Sequence, residues 1–409
     1  MRLKEIDSDL EYPKEVAPIG NPKLLVFVGN PTQYHSPIFR KLSDELGGKL
    51  QIMYGDDIGA RPFFNPEVNS IVEWDIPLLE GFPYKIFKNL TSSKRKGFWS
   101  RINLALLGHV YKSPASHVLI HGYDTLSSIF VYLAAIFSGK KIIWRGETVF
   151  KPGKQVNFNE RLKRLILPIY FRGVDTVLWS CLNNRDCLAT YIKGQQDKLL
   201  RFPCAVDNDF FVKQTLDAKE SQKMREKYGI RNNQLVITTC SRLTDRKRTY
   251  LILDAVAKMQ SKDVVVLIIG DGPARASLQE RATELNIDVK ITGFVGQLEV
   301  AKLLSISNIF CLLSYYDASP KALNEAMNFP VGMIVSKGVG TARDLVIPKK
   351  NGFIFDTGME DFLIDWLDGW AMNRASLKRA GEENKLILMG YTIEEGVNNL
   401  IKVVNDIGV

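Results

Sequence analysis

Short apolar runs recur along this chain, each followed by a segment of helix length, and they fall into two sets. The first set is LLVFV (24–28), LQIMY (50–54), HVLI (117–120), KIIW (141–144), DTVLW (175–179) and KLLRF (198–202). Helical stretches such as PIFRKLSDEL and TLSSIFVYLAAIF separate them. The second set is LVITTC (235–240), VVVLIIG (264–270), VKIT, IFCLL (309–313) and GMIVS (332–336), with ARASLQERATEL and LEVAKLLSIS between. Runs this apolar are buried on both faces, and helical crossovers between them make the sheets parallel.

A chain of 409 residues is too long for a single hydrophobic core, so two sets of strands predict two doubly wound α/β domains. We expect the first over 1–203, a hinge over 204–212 and the second over 213–388. Residues 389–409 should form a helix that docks back toward the first domain. The hinge is placed by PCAVDNDFF, where Pro, Asn and Asp cluster after a strand.

Apolar content of 45% and charged content of 24% are those of a globular protein. Five Cys lack any CxxC pair and four His lack ligand spacing, which argues for a reducing compartment and against structural zinc. The segment MRLKEIDSDLEYPKE is too charged for a signal-peptide core, and the longest apolar run, IFVYLAAIF, is about half a membrane span. A cytoplasmic, non-integral protein is expected. A net charge of +9 suits nucleic acid, anionic lipid or a phosphorylated substrate alike.

Ligands of such sheets bind beyond the carboxyl ends of the strands. There the stretch SYYDASPKALNEAM (314–327) places Ser319 to cap a helix that Pro320 begins. Free amides and the helix dipole at that point suit phosphate. Asp317 precedes the helix start and Glu325 lies about 8 Å along it. That separation matches the span from a sugar ring across a diphosphate to a ribose, with a carboxylate for the hydroxyls at each end. A surface Asp and a helix-face Glu would explain the pattern as simply.

A second loop, CSRLTDRKR (240–248), carries Arg242 and Lys247, which can meet the charge of a departing diphosphate without metal. A third element, IIGDGPARASLQ (268–279), has Gly270 and Gly272, but Arg275 breaks the dinucleotide fingerprint. A fourth, GVGTARDLV (338–346), offers the amides of Val339, Gly340 and Thr341 to phosphate.

In this order the four elements resemble the family 4 glycosyltransferases of GT-B architecture. The E-x7-E motif is D-x7-E here, from Asp317 to Glu325, and the G-R-L-x-x-x-K motif is Ser241-Arg242-Leu243 with Lys247. The GDGP turn, the glycine pair and Asn351-Gly352-Phe353 match as well. The resemblance implies two Rossmann-like domains facing across a cleft, and a retaining transfer from a nucleotide-sugar with no metal or other cofactor. It implies that Arg242 and Lys247 hold the diphosphate, Glu325 the ribose and Asp317 the donor sugar. The donor segment would run through Ala318, Ser319, Pro320, Lys321, Ala322 and Leu323. Gly272, Gly340 and Thr341 would join it, Phe294 would frame the base, and His121 would stand near the reacting sugar. The Asp at 317, the Ser at 241 and the turn NFPVGMIVS depart from the family pattern without removing a needed charge.

The acceptor, a glycan or lipid-linked glycan, should meet Asn30, Tyr34 and His35 in GNPTQYHSP and Arg145 and Glu147 in RGETVF. The basic-aromatic stretches SSKRKGFWSR (92–101) and NERLKRLILPIYFR (159–172) suit either an anionic membrane surface or a solvated helix face. No nucleic-acid partner is expected. Three rival readings remain open at this point. One is a metal-dependent GT-A transferase using Asp207-Asn208-Asp209; the others are a silent nucleotide-binding protein and a nucleotide-sugar epimerase.

Overall fold

A computed structural model describes residues 15–65, 70–72, 74–91, 97–150 and 158–406. Its strands are β1 (Leu24–Val28), β2 (Leu50–Tyr54), β3 (Phe63–Asn65), β4 (Ser70–Val72), β5 (Tyr84–Ile86), β6 (His117–His121), β7 (Lys141–Arg145) and β8 (Thr176–Trp179). They continue with β9 (Leu199–Arg201), β10 (Leu235–Cys240), β11 (Val264–Ile269), β12 (Val289–Ile291), β13 (Ile309–Leu312), β14 (Gly332–Ser336) and β15 (Gly352–Phe355). Each apolar run read from the sequence coincides with one of these strands to within one residue at either end. The antiparallel hairpin β3–β4 was not anticipated.

The described residues form two compact units, one within 15–62 and 77–142, the other within 63–76 and 143–406. In the first, parallel strands lie in the order β5-β2-β1-β6. In the second, β7, β8 and β9 pair in parallel, and six parallel strands lie in the order β12-β11-β10-β13-β14-β15. Cys204, Ala205 and Val206, at the start of the PCAVDNDFF segment, are buried.

Asp207 there accepts a hydrogen bond from the Phe210 amide at 2.9 Å and caps the helix Asn208–Lys213. The Asp-Asn-Asp run is therefore a helix start. The last helix, Ile393–Asn405, lies against β9: Asn399 donates to the Arg201 carbonyl at 3.0 Å, and Glu395 ion-pairs with Arg201.

β10 and β11 are buried along almost their whole length, as Val- and Ile-rich strands covered on both faces must be. Asn351 of the NGF motif is fully buried, donating to the Leu345 carbonyl and to Asn384 Oδ1 and accepting from the Ile347 amide. It locks the turn before β15. Among the described residues no helix is long and apolar enough to cross a membrane.

Candidate active site

Strand order in the six-stranded sheet reverses at β10. From there β11 and β12 proceed to one side, and β13, β14 and β15 to the other. This is the switch point at which loops diverge and leave a crevice. The loops after β10 and β13 carry the two charged motifs, and they are bound to each other. The Tyr315 amide donates to the Arg246 carbonyl at 2.8 Å, Arg246 Nη1 to the Tyr316 carbonyl at 2.7 Å, and Arg248 Nε to the Leu313 carbonyl at 2.8 Å. Arg248 makes the turn in a left-handed conformation, φ 49°.

These backbone ties bring Lys247 Nζ onto Asp317 Oδ2, with side chains 10% and 15% exposed. Glu325 is 3% exposed. Burial and then the Glu325 carboxylate push the Cys240 thiol up, while Lys247 opposes them. Both charges thus act on the thiol at the end of β10. The Arg242 loop is held from the other side. The Ser241 amide donates to the Ile269 carbonyl at 3.0 Å, the Leu243 amide to Asp271 at 2.9 Å, and the Ala274 amide back to Leu243 at 3.1 Å.

Glycine is required where these backbones touch. A Cβ on Gly270 (φ 132°) would lie 2.1 Å from the Ser241 carbonyl oxygen, and one on Gly272 (φ 152°) 2.4 Å from that of Leu243. The GDG turn thus braces the arginine loop. A Cβ on Gly340 would lie 1.9 Å from the Ala318 carbonyl oxygen. That closeness reflects backbone pairing between the loops after β13 and β14.

This pairing corrects part of the expected phosphate cradle. The Gly340 amide donates to the Asp317 carbonyl at 2.7 Å and the Val339 amide to Ser336 at 3.0 Å, so both are already engaged. Ser319 does not cap the following helix. Pro320 occupies the cap position of Lys321–Ala326, and the Ser319 hydroxyl meets Ser180 Oγ at 3.3 Å. Leu323 is fully buried, so its side chain supports the site from the core and Ala322 precedes it on the partly exposed side.

Two hydroxyls around the crevice, Thr244 Oγ1 and Thr341 Oγ1, are buried with no hydrogen-bond partner among the described residues. Buried polar atoms in native folds are nearly always satisfied, so orphans at strand ends mark a place for a polar ligand. Phe294 stands edge-on to Trp74 at 6.4 Å between centroids, and Asp75 accepts from the amides of Gln297 and Leu298 at 3.1 and 2.8 Å. Nothing local in WDIP signalled that role, because its partners lie more than two hundred residues away.

Arg145 ends β7 and Glu147 follows it; Lys321 Nζ lies 3.6 Å from Glu147 Oε1 and contacts Cys204 Sγ. Burial pushes the Cys204 thiol up to about 11, so it is neutral. In the first unit, the His35 and His121 rings meet edge-on at 5.0 Å. Tyr34 precedes His35 in sequence. Asn30 Oδ1 accepts from Arg101 Nη2 at 3.0 Å, and Arg101 Nε donates to Asp56 Oδ2 at 2.7 Å. Arg101 therefore joins the loops after β1 and β2. Residues 92–96 of that basic stretch lie outside the described residues.

Residues 220–387 match the family model for glycosyl transferases group 1. EpsF of Bacillus subtilis, named as a glycosyltransferase, is 21% identical over 296 residues, covering 70% of this chain and 74% of its own. The alpha-monoglucosyldiacylglycerol synthase of Streptococcus pneumoniae is 22% identical over 265 residues, 60% of this chain and 55% of its own. Among solved structures, HepE of Anabaena, in complex with UDP and glucose, superposes with a TM-score of 0.70 at 13% identity, covering 95% of this chain and all of that one.

Proposed function

We propose that this chain, a glycosyltransferase of the two-domain GT-B kind with a group 1 domain over residues 220–387, moves a sugar from a nucleotide-sugar to an acceptor hydroxyl with retention, as family 4 enzymes do. The donor is read as a UDP-sugar and the acceptor as a glycan or lipid-linked glycan, in polysaccharide or glycoconjugate synthesis. One observation carries the reading: the Lys247–Asp317 pair ties the loops after β10 and β13 together at the switch point of the second-unit sheet, where the Thr244 and Thr341 hydroxyls are buried with no hydrogen-bond partner among the described residues.

An ammonium has three donors, so Lys247 can hold Asp317 and a phosphate oxygen at once. Arg242, on the braced loop, supplies the second cation. As the anomeric bond loosens, negative charge grows on the departing diphosphate, and fixed cations stabilise that charge more than the ground state. The acceptor hydroxyl attacks from the same face and passes its proton to the leaving phosphate. Glu325 receives the ribose hydroxyls and Asp317 those of the donor sugar. Side-chain cations fill the role a metal would otherwise have, so the transfer is read as metal-independent.

A thermal-shift panel of UDP, GDP, ADP and their sugars, run in EDTA, tests this. UDP and UDP-sugars raise the melting temperature by several degrees, since a ligand at a hundred times its Kd adds about 2.7 kcal/mol. If no nucleotide of the panel shifts it, the reading fails.

The lipid side of the acceptor class draws on a second feature. The helix Phe158–Arg172 exposes Leu162, Leu165, Ile166 and Ile169 along one stripe, with Arg161 and Arg164 also exposed. An apolar stripe beside basic residues suits the interface of an anionic bilayer. A relative named for a diacylglycerol glycolipid points the same way. The protein should sediment with vesicles containing phosphatidylglycerol and not with phosphatidylcholine alone, and L165D/I169D should abolish it. Sedimentation unaffected by those substitutions would leave the helix without this role.

A further inference from the structure

The Arg145 guanidinium is 6% exposed and lies with its carbon 4.4 Å from the centroid of the Phe202 ring. It has no hydrogen-bond partner among the described residues. That is an unusual position for a group that stays charged at all ordinary pH and carries five donors. Removing a guanidinium from water is costly unless acceptors replace the lost hydration. Glu147, two residues on, is engaged elsewhere: Lys321 Nζ lies 3.6 Å from its Oε1, and the Cys204 thiol donates to the same oxygen at 3.3 Å. Cys204 adds no negative charge, because burial holds it as the thiol. Burial presses the Arg145 pKa down, with Glu147 opposing, which agrees with a cation short of acceptors.

From this we infer that Arg145, flanked by Lys321, is the receptor for an oxyanion, a carboxylate or phosphate group carried by the sugar substrate or the acceptor and distinct from the nucleotide's diphosphate. A guanidinium stacked on an aromatic ring presents its outer edge as a fork, the geometry that takes two oxygens of one anion. Lys321 lies four residues after Asp317, on the segment assigned to the donor sugar. An anionic group placed there would sit beside the transferred sugar. The inference rests on the glycosyltransferase reading above and narrows its substrates to acidic ones.

The test uses the full chain and two probes, one for each source of the anion. In the first arm, UDP-glucuronate and UDP-glucose are titrated calorimetrically; they differ only in the carboxylate. If the donor sugar carries the anion, UDP-glucuronate binds roughly tenfold tighter or better, as one charge-assisted pair implies. In the second arm, inorganic phosphate is added to protein already saturated with UDP. If the acceptor carries the anion, phosphate raises the melting temperature further. The positive arm loses its signal in R145Q and keeps only part of it in R145K, while both variants still bind UDP, which separates recognition from a folding defect. If neither arm responds, or if R145Q responds as the wild type does, the receptor assignment is overturned. Failure of UDP itself to bind would instead remove the underlying transferase reading.

Discussion

Replacing Lys247 with Ala lowers the turnover of sugar transfer by about 10²–10³-fold, the usual loss when one fixed stabiliser of a developing negative charge is removed. KM for the donor changes far less, because the charge on the leaving diphosphate grows only in the transition state. The variant also leaves the Asp317 carboxylate, 15% exposed, without its ammonium, which costs about 1–3 kcal/mol of stability. These two effects separate in a double substitution. K247A/D317A regains stability, because the orphaned carboxylate is gone, and stays as slow as K247A or slower. Steady-state kinetics with denaturant melts of the three variants measure both. Turnover of K247A within a few-fold of wild type would exclude Lys247 from the chemistry and leave it a structural ion-pair partner.

Gly272→Ala should cost about 3 kcal/mol and abolish the UDP thermal shift. The new methyl would stand 2.4 Å from the Leu243 carbonyl oxygen and 2.9 Å from its amide nitrogen, and φ of 152° is itself hostile to a side chain. Backbone cannot retreat as a flexible side chain can, so the arginine loop must move. That displacement carries Arg242 with it, and nucleotide binding is lost together with stability. Gly369→Ala is the control within the same unit. Gly369 lies in the helix Glu360–Met372 with open space where its Cβ would go, so alanine there stabilises by about 0.5–1 kcal/mol. A G272A protein that melts and binds UDP like the wild type would show that the GDG turn does not brace the loop.

Much of the site was legible because its signals are local. Asp317, Arg242 and Lys247 stand in the loops after apolar strands, where a parallel sheet places its ligand-facing loops, and Glu325 in the helix that follows one of them. What went wrong was also instructive. Ser319 before Pro320 fits the local rule for a helix cap, yet its hydroxyl is taken by Ser180, 139 residues away in sequence. Gly340 looked like a free amide because no local rule reveals that its loop pairs with the one carrying Asp317. Arg101 read as one more basic residue in a basic stretch, and it is the bridge between Asn30 and Asp56.

The amino-acid sequence alone determined where strands and crossover helices lie, and which charged residues fall at strand ends. Burial of β-branched runs and the breaking of helices by Gly and Pro act over a few residues, so no distant partner is consulted. The three-dimensional arrangement alone decided which of those residues meet: Lys247 with Asp317, Lys321 with Glu147, and Arg145 with the ring of Phe202. Such pairings depend on strand order and on which loops lie side by side. Hydrogen-bond donors and acceptors recur throughout any sequence, and only topology selects the pairs that touch.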